Sequence, residues 1–171
     1  PRVKLVQDEA RSYIARTEKK YDIIQVSLID SFAATAAGAF VLTENSLYTR
    51  EGWNIFLEHL EPDGILTFSR WYYADKPYEM WRLTSLATAA LRDQGVEHIP
   101  DNMIIVRSKF RWWGSFDEDY AIGTMLVSKE PFTEQQVDKI HEVAERLKFE
   151  IVLSPKQKAE NELLHEIITT E

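Results

Sequence analysis

Cysteine is absent from this 171-residue chain, which excludes disulfides, thiolate zinc sites and cysteine nucleophiles together and points weakly to a reducing compartment. Glycine is scarce, with six in all, and no G-x-G-x-x-G turn for cradling a dinucleotide pyrophosphate occurs. Basic residues are in the minority: 20 Lys and Arg stand against 28 Asp and Glu, a formal charge of -8. That balance argues against a nucleic-acid backbone as the main partner and favours cationic ligands. A membrane-crossing run is missing too, since the uncharged stretch over residues 31–43 falls short of the roughly 20 residues a hydrocarbon core requires. The chain opens on Pro1 without an initiator methionine or a signal-peptide pattern, and it is read as the C-terminal portion of a longer protein. Cytoplasm is the default location.

What is present is a 44% hydrophobic composition arranged as alternating strand and helix patterns. A β-branched run over residues 3–6 stops at Gln7-Asp8-Glu9, after which Ala10, Tyr13 and Ile14 fall at helical spacing. Residues 21–29 form a nearly continuous apolar run, the mark of a strand covered on both faces. After Asp30 an Ala/Gly-rich stretch reaches Ser46, and Trp53, Phe56, Leu57 and Leu60 then share one helical face. The turn Glu61-Pro62-Asp63-Gly64 leads into a third strand at residues 65–69. Asp75 and Pro77 open a helix that stops at Gly95. A fourth strand at 103–106 and a fifth at 121–127 are expected to pair antiparallel. Thr133 and Gln136 form a capping box for an amphipathic helix, a short strand at 149–153 follows, and a charged helix runs over residues 156–168.

Alternation of this kind implies a mostly parallel sheet with an antiparallel closing hairpin and helices on both faces, with ligands bound beyond the carboxyl ends of the strands. Those ends are Asp8-Glu9, residues 27–30 and residues 69–71. If the first strands of such a sheet lie upstream, the remaining sheet carries an exposed edge, which invites a homodimer.

Five segments in order, VKLVQDEARSYI, YDIIQVSLIDS, SLYTREGW, LEPDGILTFS and IGTMLVSKEPFTEQQV, resemble the spermidine synthase family over roughly residues 1–153, with 154–171 as a charged helical tail. The resemblance implies a Rossmann-like methyltransferase-type fold and a transferase of polyamine biosynthesis. It implies aminopropyl or methyl transfer from decarboxylated S-adenosylmethionine or S-adenosylmethionine to a small amine. In the family an acidic pair followed by a small residue contacts the adenine; the match is Asp8, Glu9 and Ala10. Asp8 has a structural alternative as a helix N-cap.

The family's Asp-Ser-Ser-Asp-type tetrad, aligned without a gap, falls on Ser27, Leu28, Ile29 and Asp30. Ser27 therefore stands where the base is expected, and a hydroxyl takes no proton at neutral pH without a base beside it. Asp30 remains as the candidate catalytic acid, binding a cation or capping a turn. Gln25, Ser27, Asp30 and Tyr48, with Thr43 and Glu44 nearby, are the expected substrate contacts. The Ala-rich stretch before Tyr48 lies where the family places a gating loop, and is either a lid or a short buried helix. The glycine-rich turn and the ribose acid of the fold belong upstream, so the cofactor site here is at best half present and the isolated chain is expected to be inactive. The alternative is a non-catalytic binding or regulatory module on the same scaffold, and a membrane-tethered parent is the alternative to a cytoplasmic one. Trp112 and Trp113, with Arg107 and Arg111, read as a core or interface cluster rather than a base-stacking platform. The four histidines lack metal-ligand spacing, and no metal is expected.

Overall fold

The computed structural model describes residues 3–28, 46–109 and 120–170. Among the described residues are five helices of α type, α1 (Ala10–Ala15), α2 (Arg50–Glu58), α3 (Tyr78–Asp93), α4 (Glu134–Leu147) and α5 (Glu162–Thr169), and five strands, β1 (Tyr21–Val26), β2 (Leu60–Tyr73), β3 (Met103–Lys109), β4 (Tyr120–Ser128) and β5 (Phe149–Leu153). The strands form one open sheet in the order β1-β2-β4-β3-β5.

Period-two burial divides the sheet into two faces. Ile24 and Val26 of β1, Leu66 and Phe68 of β2, and Met125 and Val127 of β4 turn inward toward Trp53 and Phe56 of α2, Met80 and Leu83 of α3, and Leu164 and Ile168 of α5. On the other face Ile104 and Val106 of β3 meet Val137 of α4 and Phe132 before it. Helices thus cover both faces, as the α/β reading requires. The indole of Trp53, fully buried, stacks on Phe68 at 4.6 Å between ring centroids, so one offset aromatic pair pins α2 to the middle of β2.

The Rossmann-like open sheet holds, but its strand directions are less parallel than the alternation suggested. Among the described strands only β1 and β2 run parallel; β2 with β4, β3 with β4, and β3 with β5 are antiparallel. The anticipated β3–β4 pair is there, yet β4 also inserts beside β2, so the closing strands are part of the sheet's centre. A second correction concerns residues 3–6. They form no strand, and Val3, Leu5 and Val6 are 71%, 92% and 46% exposed. β-branched composition favours a pleated, half-buried surface only when a neighbouring strand supplies the ladder, and β1, the sheet's edge, takes β2 alone as its partner among the described strands.

Local chemistry sets the element ends. The register between β1 and β2 advances from Tyr21↔Leu60 to Ile23↔Ile65, so the residues of the Glu61-Pro62-Asp63-Gly64 turn bulge out within a longer strand than the sequence suggested. A β-carbon on Gly64 would stand 2.8 Å from the Tyr21 carbonyl oxygen and 3.0 Å from that of Glu61, which is why this turn takes glycine. Gly95, at φ 85°, stops α3 in a conformation that costs a side chain more. The capping box of α4 is formed: Gln136 N–H donates to Thr133 Oγ1 (3.3 Å), and Thr133 N–H donates back to Gln136 Oε1 (2.9 Å). Asn161 caps α5 by accepting from Leu164 N–H (3.1 Å), and the same oxygen accepts from the Trp81 indole of α3 (3.0 Å).

Candidate functional site

The parallel strands β1 and β2 point their carboxyl ends in one direction, and the segments beyond them assemble a polar cluster there. Its first member is Glu9. The side chain caps α1, accepting from the backbone N–H groups of Ser12 (2.7 Å) and Arg11 (3.1 Å), and it also accepts from the Ser46 hydroxyl (3.1 Å). A hydrogen bond from the Ser12 side chain foremost, and those bonds with it, lower its pKa from 4.5 to about 2 against the opposing effect of burial. A carboxylate offers about four lone-pair sites, and the backbone N–H groups of Arg11 and Ser12 with the side chains of Ser12 and Ser46 account for them. Glu9, and not Asp8, is thus the helix cap. Asp8 accepts from Glu9 N–H (2.9 Å) and pairs with Arg16, while Ala10 begins α1.

Ser46 leads two residues later to Tyr48, the entry to α2. Arg70 of β2 donates from Nη1 to the Tyr48 hydroxyl (3.1 Å), and its guanidinium lies 4.9 Å from the centre of the Tyr48 ring. It also donates from Nε (3.1 Å) and Nη2 (2.8 Å) to one carboxylate oxygen of Glu79 on α3. The Arg70 side chain is only 12% exposed. Glu9 and Ser46 thereby join α1 to the segment before α2, and Tyr48, Arg70 and Glu79 join that same segment to β2 and α3.

The other expected contacts lie elsewhere. Gln25 is exposed and alternates with the inward-facing Ile24 and Val26, which puts it on the face of β1 opposite Tyr48. Its register partner is Thr67. Ser27 is exposed just past the end of β1. Asp30, Thr43 and Glu44 lie outside the described residues, as do the stretch before Ser46, Arg111 and the Trp112-Trp113 pair. Arg107 is described: it forms a two-pronged ion pair with Glu150 (2.8 and 2.7 Å) across β3 and β5 and stands 5.1 Å from the Tyr72 ring. Two of the four histidines tie elements together: His59 lies between the carbonyl oxygens of Ile55 (2.7 Å) and Thr17 (2.9 Å), and His141 bonds the Ser154 hydroxyl (3.0 Å). Among the described residues no group of three or more His, Cys, Asp or Glu side chains could hold a metal ion.

Sequence reasoning missed Ser46, Arg70 and Glu79. A signal for Arg70 was available: it shares strand parity with Leu66, Phe68 and Tyr72, all inward-facing. An arginine at such a position needs a buried counter-charge.

No family model matches the chain. Among solved structures, a probable spermidine synthase from Corynebacterium glutamicum ATCC 13032 superposes over 99% of the chain with a TM-score of 0.60 at 14% identity. The chain has a spermidine synthase-type fold. It spans about half of that protein, 53% of its length. A spermidine synthase in complex with the transition-state analogue AdoDATO is also similar, at 15% identity and a TM-score of 0.42, over 94% of this chain and 43% of that one. Within the spermidine synthase-type fold the carboxyl end of β1 and the start of α2 flank the polar cluster described above. No helix of the described residues is long and apolar enough to cross a membrane.

Proposed function

We propose that the chain is the C-terminal portion of a spermidine synthase-like transferase that moves an aminopropyl or methyl group from an S-adenosylmethionine-type donor to a small amine. The observation that carries this reading is the superposition of nearly the whole chain on a probable spermidine synthase. Fold alone does not fix chemistry, so the site must carry the rest. Glu9 is the adenine contact on this reading: an ionised carboxylate at a loop end takes a hydrogen bond from an adenine amino group in exchange for one of its hydroxyl donors, without burying an unpaired charge. Tyr48 and Asp30 flank the acceptor on this reading, with Gln25 and Ser27 at the outer rim of β1.

Decarboxylated S-adenosylmethionine would supply an electrophilic carbon on its sulfonium. The amine lone pair forms the new C–N bond as the C–S bond breaks and its electrons return to sulfur, while the nitrogen gives up one proton. The protein's share is to align the two reactants and receive that proton. Ser27 has no usable pKa for receiving it, and this one position favours a second reading, a binding or regulatory module that keeps the scaffold without the base.

The test uses the full-length protein with putrescine and decarboxylated S-adenosylmethionine, comparing the natural sequence with Ser27→Asp. A positioned base contributes typically 10²- to 10⁴-fold, so the natural protein should form spermidine slowly and the variant at least ~10-fold faster. Rapid spermidine synthesis by the natural protein overturns the role assigned to position 27. Failure of both proteins to bind the donor in calorimetry favours the module.

A further inference from the structure

A groove of about 780 Å³ runs along α3 and α5 and shares Tyr48, Arg70 and Glu79 with the polar cluster. The two helices lie side by side in the same direction: Trp81 near the start of α3 bonds Asn161 at the start of α5, and Arg92 near the end of α3 bonds the Thr170 carbonyl at the end of α5. Between these clasps the helices pack together through Leu164 and Ile168 on α5 and the buried face of α3, and the groove lies along the outer side of that contact. Tyr78, Arg82, Leu86 and Ala89 on α3 and Leu163 and Ile167 on α5 line it.

The groove is polar at one end and apolar at the other. Its opening lies at the N-terminal end of α3, where Arg70, Glu79 and the Tyr48 ring line it. Tyr78 and Trp81 meet edge to face there, 5.2 Å apart and at 87°. Farther along, the lining is Leu86, Ala89 and Ile167. From Tyr78 to Ala89 the helical rise of 1.5 Å per residue gives a length of about 16 Å. A volume of this size lies within the ~300–1,000 Å³ of ordinary small-molecule sites, which pair an apolar wall with a few polar groups.

Charge selects among amphiphiles. Glu79 neutralises Arg70 through their ion pair, whereas Arg82 is exposed and has no ion-pair partner among the described residues. One positive charge is therefore left over at the polar end of an apolar trough, in a chain whose formal charge is -8. An amine would meet Arg82 with like charge; a carboxylate would gain a charge-assisted hydrogen bond. We propose that the α3–α5 groove binds a small, elongated amphiphile with an anionic head, its apolar body along Leu86, Ala89 and Ile167 and its head at Arg82. Burial of the body along the trough supplies affinity, and the arginine sets orientation.

The site is tested on the chain by calorimetry with dodecanoate as probe, dodecan-1-ol and dodecylamine as neutral and cationic counterparts, and two variants. Saturable dodecanoate binding is expected, weakened roughly tenfold in Arg82→Glu, the scale of one lost charge-assisted contact, and abolished in Ala89→Trp, which fills the trough. Dodecan-1-ol should bind more weakly than dodecanoate, and dodecylamine weakest of all. Far-ultraviolet circular dichroism and the urea midpoint should be unchanged in Arg82→Glu, an exposed position, so its loss of binding reads on the ligand. Vesicles of phosphatidylcholine and phosphatidylglycerol, which present chains without a free carboxylate, should leave the chain in the supernatant. Absence of saturable dodecanoate binding, equal affinity for dodecylamine, binding unaltered by both variants, or co-sedimentation with those vesicles would each overturn the proposal. The transferase assay with Ser27→Asp uses other ligands and no groove variant, so either reading can fail while the other stands.

Discussion

The Arg70–Glu79 ion pair is the most consequential contact that can be weighed from the structure, because it lies between the surface and the interior. Its side chains are 12% and 34% exposed. Exposed pairs contribute about 0–1 kcal/mol, while breaking a fully buried pair costs roughly 3–5 kcal/mol by stranding one charge. Glu79 retains enough contact with water to be rehydrated if its partner is lost, so the coupling should fall between these limits, at about 1.5 kcal/mol in a double-mutant cycle of Arg70→Ala and Glu79→Ala. Arg70→Ala alone should cost more, about 3 kcal/mol, because it also removes the hydrogen bond to Tyr48 and the packing of the aliphatic stem. In a chain of this size that corresponds to a fall in Tm of roughly 6–12 °C. Arg70→Lys should recover only part, since an ammonium keeps the charge but not the planar set of donors. The internal control is Lys139–Glu142 on α4, whose side chains are 63% and 61% exposed and whose cycle should give about 0.4 kcal/mol. Urea denaturation of each variant supplies all four corners of both cycles. Equal coupling energies for the two pairs would refute the reasoning that burial of Arg70 raises the value of its contacts.

Two further perturbations follow from local geometry. Glu9→Gln removes a charged cap and should destabilise the chain by about 1 kcal/mol at neutral pH. Because the folded-state pKa of Glu9 is lowered from 4.5 to about 2, its charge contributes fully above about pH 4.5 and loses that contribution as pH falls toward 2, so the gap between natural and variant urea midpoints should narrow from pH 5 to pH 3; a gap that widens would contradict the assigned bonds. Gly64→Ala should cost about 2 kcal/mol, since the added carbon meets backbone oxygens of Tyr21 and Glu61 at 2.8 and 3.0 Å and backbone yields less readily than a side-chain tip; a midpoint equal to that of the natural chain would show that the bulge relaxes freely.

The fold was legible wherever a signal was local. The α4 capping box, the stop of α3 at Gly95 and the inward stripe of Trp53, Phe56 and Leu57 on α2 are encoded within a few residues of where they act, although Leu60, read as the stripe's fourth member, opens β2 instead. Strand pairing is not local. Residues 103–106 and 121–127 read as strands from composition, but nothing in either run says that β4 lies between β3 and β2, because both faces of β4 are covered whichever neighbours it takes. Residues 3–6 illustrate the opposite error, a good strand composition without a partner. Likewise Glu61-Pro62-Asp63-Gly64 reads as a turn, and it does bend the chain, yet Leu60 already pairs with Tyr21 across the sheet.

The candidate site was legible at its charged loop end and obscure inside the strand. Asp8 and Glu9 announce themselves as acids after an apolar run, although which of them caps α1 depends on distances of tenths of an ångström that no sequence carries. Arg70 hides because its neighbours Phe68, Ser69, Trp71 and Tyr72 suggest an ordinary half-buried strand. Strand parity resolves it: an arginine in step with Leu66, Phe68 and Tyr72 must point into the apolar face. A charge held there has to find an opposite charge on whatever covers that face. The helix that follows β2 is the first element able to do so, and in its first turn it carries one acid, Glu79. The pairing could therefore have been inferred before any coordinates, and with it the junction of β2, α3 and Tyr48, where the polar cluster and the α3–α5 groove share their lining.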